Sequence, residues 1–204
     1  TVPNGGGLPG PSSVRWQPGV PATLAGGEAL DGGNPKATVP ARDRVLTSAA
    51  PFTAAPTELA KTEYRFSSLA WTDKGVALLT ENDRTKRWTR TWVIDRPGAT
   101  PRKLWDRSAE DSYSNPGAPV RHETASGLEV VAQHGDTIFL AGTGASPQGD
   151  KPFMDALNLT TLKAERKYQM AEGYEPIVGL VSGDGSRVLT RFETKSAPPT
   201  TLVR

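Results

Sequence analysis

The stretch SSLAWTDKGVALLTEND, Ser67–Asp83, holds an apolar run ending in Trp71, a Thr-Asp-Lys-Gly turn and a second apolar run. That order reads as a β-hairpin closed by turn residues. One hairpin says nothing about function, but this one recurs. With the turn glycines superimposed, VRWQPGVPATLAGGEA around Gly19, LAWTDKGVALLTEND around Gly75, VVAQHGDTIFLAGTG around Gly135 and LVSGDGSRVLTRFET around Gly185 align at intervals of 56, 60 and 50 residues.

The segments after the hairpins recur as well. DRVLTSAAPFTAAPTELAKTE, RTWVIDRPGATPRKLWDRS and PFMDALNLTTLKAERKYQM each hold a short strand, a turn built from Pro, Gly or Thr, and a polar strand. The unit therefore has four strands. Without a helix to cover its faces, such a unit must stack face to face on its neighbours, and the closed solution is a β-propeller. A β-sandwich would have shorter strand spacing and no superimposed period. The expected fold is all-β, a partial β-propeller of three complete four-stranded blades, at 13–63, 65–107 and 127–170, plus part of a fourth at 174–204. Residues 1–12 read as a flexible Pro/Gly leader. Propellers typically close with four to eight blades, so the chain is expected to be part of a larger ring.

Composition agrees with this reading and excludes several function classes. Among 204 residues, 21 Gly and 18 Pro suit many short strands joined by tight turns and disfavour long helices. A net charge of +2 offers no imbalance that would draw nucleic acid or an anionic membrane. The nearest basic cluster, Arg84–Arg90, reads as a solvated loop and strand end. With no cysteine there is no disulfide, thiolate nucleophile or Cys-based metal site, and no apolar run approaches the roughly 20 residues of a membrane helix.

Catalytic groups are sparse. Gly144-Ala-Ser-Pro-Gln-Gly149 superficially matches a nucleophile motif, but Pro147 comes directly after the serine and a strand after the turn, so Ser146 reads as a hairpin-loop residue. His122 and His134 lack a second ligand or base at useful spacing and read as a loop-end and a turn residue. Trp16 and Trp71 occupy equivalent strand ends and are expected to pack between blades. Asn158-Leu-Thr160 matches a glycosylation sequon. The segment LWDRSAEDSYSNPGAPVR, Leu104–Arg121, breaks the repeat and reads as a long loop, the kind of element that carries function on rigid scaffolds.

Taken together, SVRWQPGVPATL, EALDGGNPK, RTWVID, LWDRSAEDSYSNPG, GTGASPQGDKPFMDALNL and LTRFETKSAPPTTL resemble the propeller of glutamyl endopeptidases in the prolyl oligopeptidase-like serine peptidase family, in order from about Ser13 to the last residue. The resemblance implies a propeller that precedes a C-terminal α/β-hydrolase domain, cleavage after glutamate, peptide substrates and no cofactor. It implies no catalytic or metal-binding residue in this chain, because neither a Gly-x-Ser-x-Gly elbow nor the later Asp and His is found here. A cavity that prefers an acidic side chain needs a cation. Arg107 and Arg121, with Asp111 and Tyr113 in the loop between them, are the candidates for substrate gating or for docking on the hydrolase domain; local pairing with Asp106, Glu110 or Asp111 is the simpler role for the two arginines. The alternative function is a stand-alone propeller used as a binding scaffold. Periplasmic, secreted and plastid-type settings all fit the resemblance.

Overall fold

The computed structural model describes residues 10–170 and 174–204, so most of the expected leader lies outside the described residues. The chain forms two compact units, Thr1–Glu110 and Asp111–Arg204. It is all-β, and its sheets are antiparallel meanders of the kind that make up propeller blades.

In the first unit, β1 (Pro11–Trp16), β2 (Thr23–Ala29), β3 (Asp43–Ala49) and β4 (Thr57–Thr62) form one sheet in sequence order. The next sheet repeats the plan with β5 (Arg65–Trp71), β6 (Ala77–Asp83), β7 (Trp88–Ile94) and β8 (Arg102–Ser108). The Ser67–Asp83 hairpin is β5 and β6, with Trp71 opposite Ala77. Its turn closes as its residues require: the Thr72 hydroxyl accepts from the amides of Lys74 and Val76, and Gly75 takes φ +80°, a conformation that suits glycine. The equivalent Gly19, Gly135 and Gly185 also have positive φ.

The two sheets stack face to face through Ala25, Val45, Leu59 and Ala60 of the first and Leu69, Trp71, Ala77, Leu79 and Ile94 of the second. Val45, Ala77 and Ile94 are fully buried. Burying each large aliphatic side chain contributes about 1.5–3 kcal/mol, which is what holds one meander on the next. Gly27 sets the spacing, since a Cβ there would lie 2.5 Å from the Phe66 ring. The two tryptophans read as equivalent behave differently. Trp71 is 3% exposed in this core, whereas Trp16, on the outer strand β1, is 50% exposed and packs between no sheets among the described residues.

The second unit contains β9 (Ala118–Pro119), β10 (Arg121–Glu123), β11 (Glu129–Val131), β12 (Gln133–His134), β13 (Thr137–Gly142), β14 (Phe153–Asn158) and β15 (Ala164–Gln169). Both β9 and β12 pair with the same edge of β13, Ala118 and Pro119 against its end and Gln133 and His134 against its start. The first strand of this blade is thus split in two. The β10–β11 hairpin is inserted between the halves, and the Ala132 amide donates to the Val120 carbonyl to close the gap. The blade therefore starts at Ala118, ahead of the expected 127, and β8 takes up Leu104–Ser108, so the irregular connector shrinks to Ala109–Gly117. A three-stranded sheet, β16 (Ile177–Leu180), β17 (Val188–Phe192) and β18 (Thr200–Val203), comes last. Val188 joins Val120, Phe139 and Met154 in one core, with Ile177 and Leu180 packed against it.

Candidate functional site

A concavity of the first unit, about 700 Å³, opens beside the β6–β7 turn and the end of β8. Asp83 shapes the turn by accepting from the amides of Thr85 and Lys86, both at 3.0 Å. These contacts, led by the Lys86 amide, outweigh the effect of burial and hold the Asp83 carboxyl below the usual carboxylate range. Arg87 adopts φ +51°, and its carbonyl accepts from the Ala109 amide at 2.8 Å, which ties the turn to the chain leaving β8. Three guanidinium-bearing residues, Arg84, Arg87 and Arg107, line the groove together with Trp88. Arg87 pairs with Glu110 at 2.8 Å, and Arg107 donates to the Ser108 carbonyl at 2.6 Å. Arg84 is exposed and has no ion-pair partner among the described residues.

Of the four residues singled out in the sequence, Arg107 is the one in this groove. Asp111 organises its own turn, accepting from the amides of Tyr113 and Ser114 and from the Ser114 hydroxyl. Tyr113 is 69% exposed. Arg121 stands on β10 and pairs with Glu129 of β11 at 2.9 Å, a cross-hairpin partner outside the set expected from sequence. Arg84, Arg87 and Trp88 were not expected as groove residues. They belong to the Arg84–Arg90 run, whose other members are held elsewhere: Lys86 pairs with Asp83, while Arg90 pairs with Glu63 and Asp106 and stacks 4.2 Å over the Tyr64 ring.

A second concavity, about 420 Å³, lies in the second unit and is lined by His134, Thr137, Lys163, Lys167 and Asp184 among others. Its charges are largely engaged, with Lys167 on Glu165 at 2.8 Å and Asp184 held at about 2 by the amide and hydroxyl of Ser186. The Ser146 hydroxyl donates to the Gly149 carbonyl at 2.6 Å and accepts from the Gln148 amide, as a turn residue does. Among the described residues, no group of three or more His, Cys, Asp and Glu side chains gathers that could hold a metal ion.

Ion clusters, those at Asp31 and Glu175 buried and that at Asp106 near the surface, brace the blades around these sites. Asp31, whose side chain is fully buried, receives Arg65 at 2.5 Å, Arg42 at 3.0 Å and the Gly33 amide at 2.9 Å. Burial alone would raise its pKa, but Arg65 and these other donors reverse the sign and hold it below the usual carboxylate range. Lys103 and Trp88, against a small opposing effect of burial and with help from Arg90, bring Asp106 to about 2. Arg204 and, against burial, Thr190 lower Glu175 in the second unit. A folded-state pKa below the unfolded value gives stability that is complete above the unfolded pKa of about 4 and lost as pH falls through the folded one. The midpoint of thermal unfolding should stay flat from pH 7 to pH 5 and fall between about pH 4 and pH 2, with a shallower fall in Asp106→Asn. A midpoint that is level down to pH 2.5 would remove these carboxylates from the account of stability.

No family model matches the chain. The probable chloroplastic glutamyl endopeptidase of Oryza sativa subsp. japonica is 38% identical over 206 residues, an alignment that takes in 92% of this chain and 22% of that protein. Its Arabidopsis thaliana counterpart is 38% identical over 199 residues, with 91% and 20% covered. The chain is homologous to one segment of glutamyl endopeptidases. It spans about a fifth of the length of the curated relatives it matches. Among solved structures, TolB from Acinetobacter baumannii aligns over 81% of this chain and 36% of its own, at TM-score 0.40 and 14% identity. An oligogalacturonate lyase in complex with manganese aligns over 95% and 48%, at TM-score 0.48 and 13% identity.

Proposed function

We propose that this chain is the substrate-gating propeller segment of a serine-type endopeptidase of the prolyl oligopeptidase-like class that cleaves peptides after glutamate, with the catalytic α/β-hydrolase domain elsewhere in the same protein. The observation that carries the proposal is 38% identity maintained over 92% of the chain to a protein named for that activity. The blade architecture supports it, because a rigid ring of sheets set over an active site admits flexible peptides and excludes folded proteins. Arg107 in the groove is the gating candidate, and exposed Tyr113 and Arg121, with Asp111 fixing the loop, are the candidates for docking on the hydrolase domain. Of the cellular settings the sequence allows, the relatives' names favour the plastid type.

The test uses the full-length protein with fluorogenic peptides that place Glu, Gln or Ala before the scissile bond. Cleavage after Glu is expected to exceed cleavage after Ala by at least about 100-fold in kcat/KM, since a site built to pair a carboxylate leaves its cation unpaired with Ala. A serine-directed phosphonate should abolish it, and a folded protein substrate should resist. Absence of cleavage, or cleavage indifferent to the phosphonate, would overturn the proposal.

A further inference from the structure

We infer that the arginine-lined groove beside the β6–β7 turn is a binding site for acidic peptide segments. Its volume, about 700 Å³, falls within the range of small-ligand pockets and has room for a few side chains. Arg84, Arg87 and Arg107 reach it from two different elements, the turn and β8. Planar guanidinium groups are the side chains best matched to carboxylates, because their donors form a fork that engages both oxygens.

The local acids do not cancel this character. Asp83 is occupied by the amides of Thr85 and Lys86 and by the Lys86 ammonium at 3.5 Å. Glu110 is engaged with Arg87. Arg84 projects from the turn with no ion-pair partner among the described residues, which makes it the cation with most to gain from an incoming carboxylate. Trp88 presents an aromatic surface at the same wall, and its indole N–H is committed to Asp106 at 2.5 Å, which fixes the ring. The site therefore combines a held aromatic wall with guanidinium groups.

That the carboxylates belong to a peptide rests on the peptidase reading, whereas the anion preference rests on the groove alone. The probe is acetyl-Glu-Glu-Glu-amide, titrated into the isotope-labelled protein while the Trp88 indole N–H resonance is followed. The expected result is a saturable shift that Arg84→Ala weakens about tenfold, as for the loss of one charge-assisted contact. Arg84→Lys should recover part of it, and Arg191→Ala, at an exposed arginine of the other unit, should leave it unchanged. Raising the salt from 50 to 500 mM should weaken binding by roughly an order of magnitude.

An Arg84→Ala protein that binds as tightly as the parent, or an acetyl-Gln-Gln-Gln-amide peptide that binds equally well, would overturn the inference. Tighter binding of inorganic phosphate than of the triglutamate would overturn it too and assign the groove to phosphorylated ligands. Because Arg84 lies in an exposed turn, the variant should fold normally, and an unchanged thermal midpoint checks this. The two readings fail separately. Cleavage after Glu with a silent groove removes the groove alone, and a responsive groove in a full-length protein without cleavage removes the peptidase reading alone.

Discussion

Arg65→Ala is expected to lower the unfolding free energy by about 2–4 kcal/mol, because Asp43 loses its cation and the buried Asp31 keeps only Arg42. Arg65 begins β5, yet its guanidinium reaches back into the preceding sheet, to Asp43 at 2.7 Å and Asp31 at 2.5 Å. Asp31 is fully buried at the side chain, Asp43 is 8% exposed and Arg65 itself is 25% exposed, so water entering from the Arg65 side replaces only part of what the substitution removes. Asp43 also accepts from the Phe66 amide at 2.6 Å, which makes the cluster a polar clasp across the two sheets at the edge of their apolar core.

The measurement is urea unfolding of parent, Arg65→Ala, Arg65→Lys and Asp31→Asn. Lysine should recover only part of the loss, because one ammonium cannot hold two carboxylates in the geometry of a fork. Asp31→Asn combined with Arg65→Ala should cost less than the sum of the two, since the double variant no longer buries the Asp31 charge. Arg65→Ala should also lose part of the acid-dependent fall in stability below pH 4, because, against the effect of burial, Arg65 does most to depress the Asp31 pKa. A loss under about 1 kcal/mol would reduce the cluster to the standing of a surface pair.

The repeat was legible because its signal is local. A turn glycine with apolar runs on either side fixes a hairpin within about 15 residues, and Gly75 and its three equivalents do take positive φ. The split strand was not legible in this way. Residues 118–119 and 133–134 sit on one edge of β13 because the Arg121–Val131 hairpin loops out between them, and no period marks an insertion whose own strands look like blade strands. The ion clusters were hidden by distance: Asp31 reads as a turn residue in EALDGGNPK, and its partner Arg65 lies 34 positions away. Trp16 and Trp71 hold matching places in the repeat, but only Trp71 has an opposing sheet among the described residues, and burial depends on that neighbour. The groove was half visible. A run of cations was plain at Arg84–Arg90, but sorting Arg90, drawn into its ion cluster, from Arg84, left to the groove, takes the positions of Glu63, Asp106 and Tyr64.

Gly144→Ala should destabilise the second unit by about 2–4 kcal/mol, combining left-handed strain with a steric clash. Gly144 lies just after β13 at φ +64°, and a Cβ built on it would run into the carbonyl oxygen of Lys151 and lie 2.8 Å from the carbonyl carbon. Both are backbone atoms, so no rotamer change can relieve the contact. The same carbonyl region is fixed by the Lys151 amide, which donates to the Gly144 carbonyl at 2.9 Å and closes the loop over Ser146. Gly135→Ala provides the matched control: at φ +57° with nothing within 4 Å of its Cβ, it should cost only the strain, about 1–2 kcal/mol. The difference between the two, read from urea midpoints, isolates the clash, and equal losses would mean that the loop opens without resistance. The same loop carries the serine that imitates a nucleophile. If its hydroxyl only ties the turn to Gly149, Ser146→Ala in the full-length protein should leave cleavage after Glu intact, while Gly144→Ala lowers the yield of folded protein without altering kcat per folded molecule.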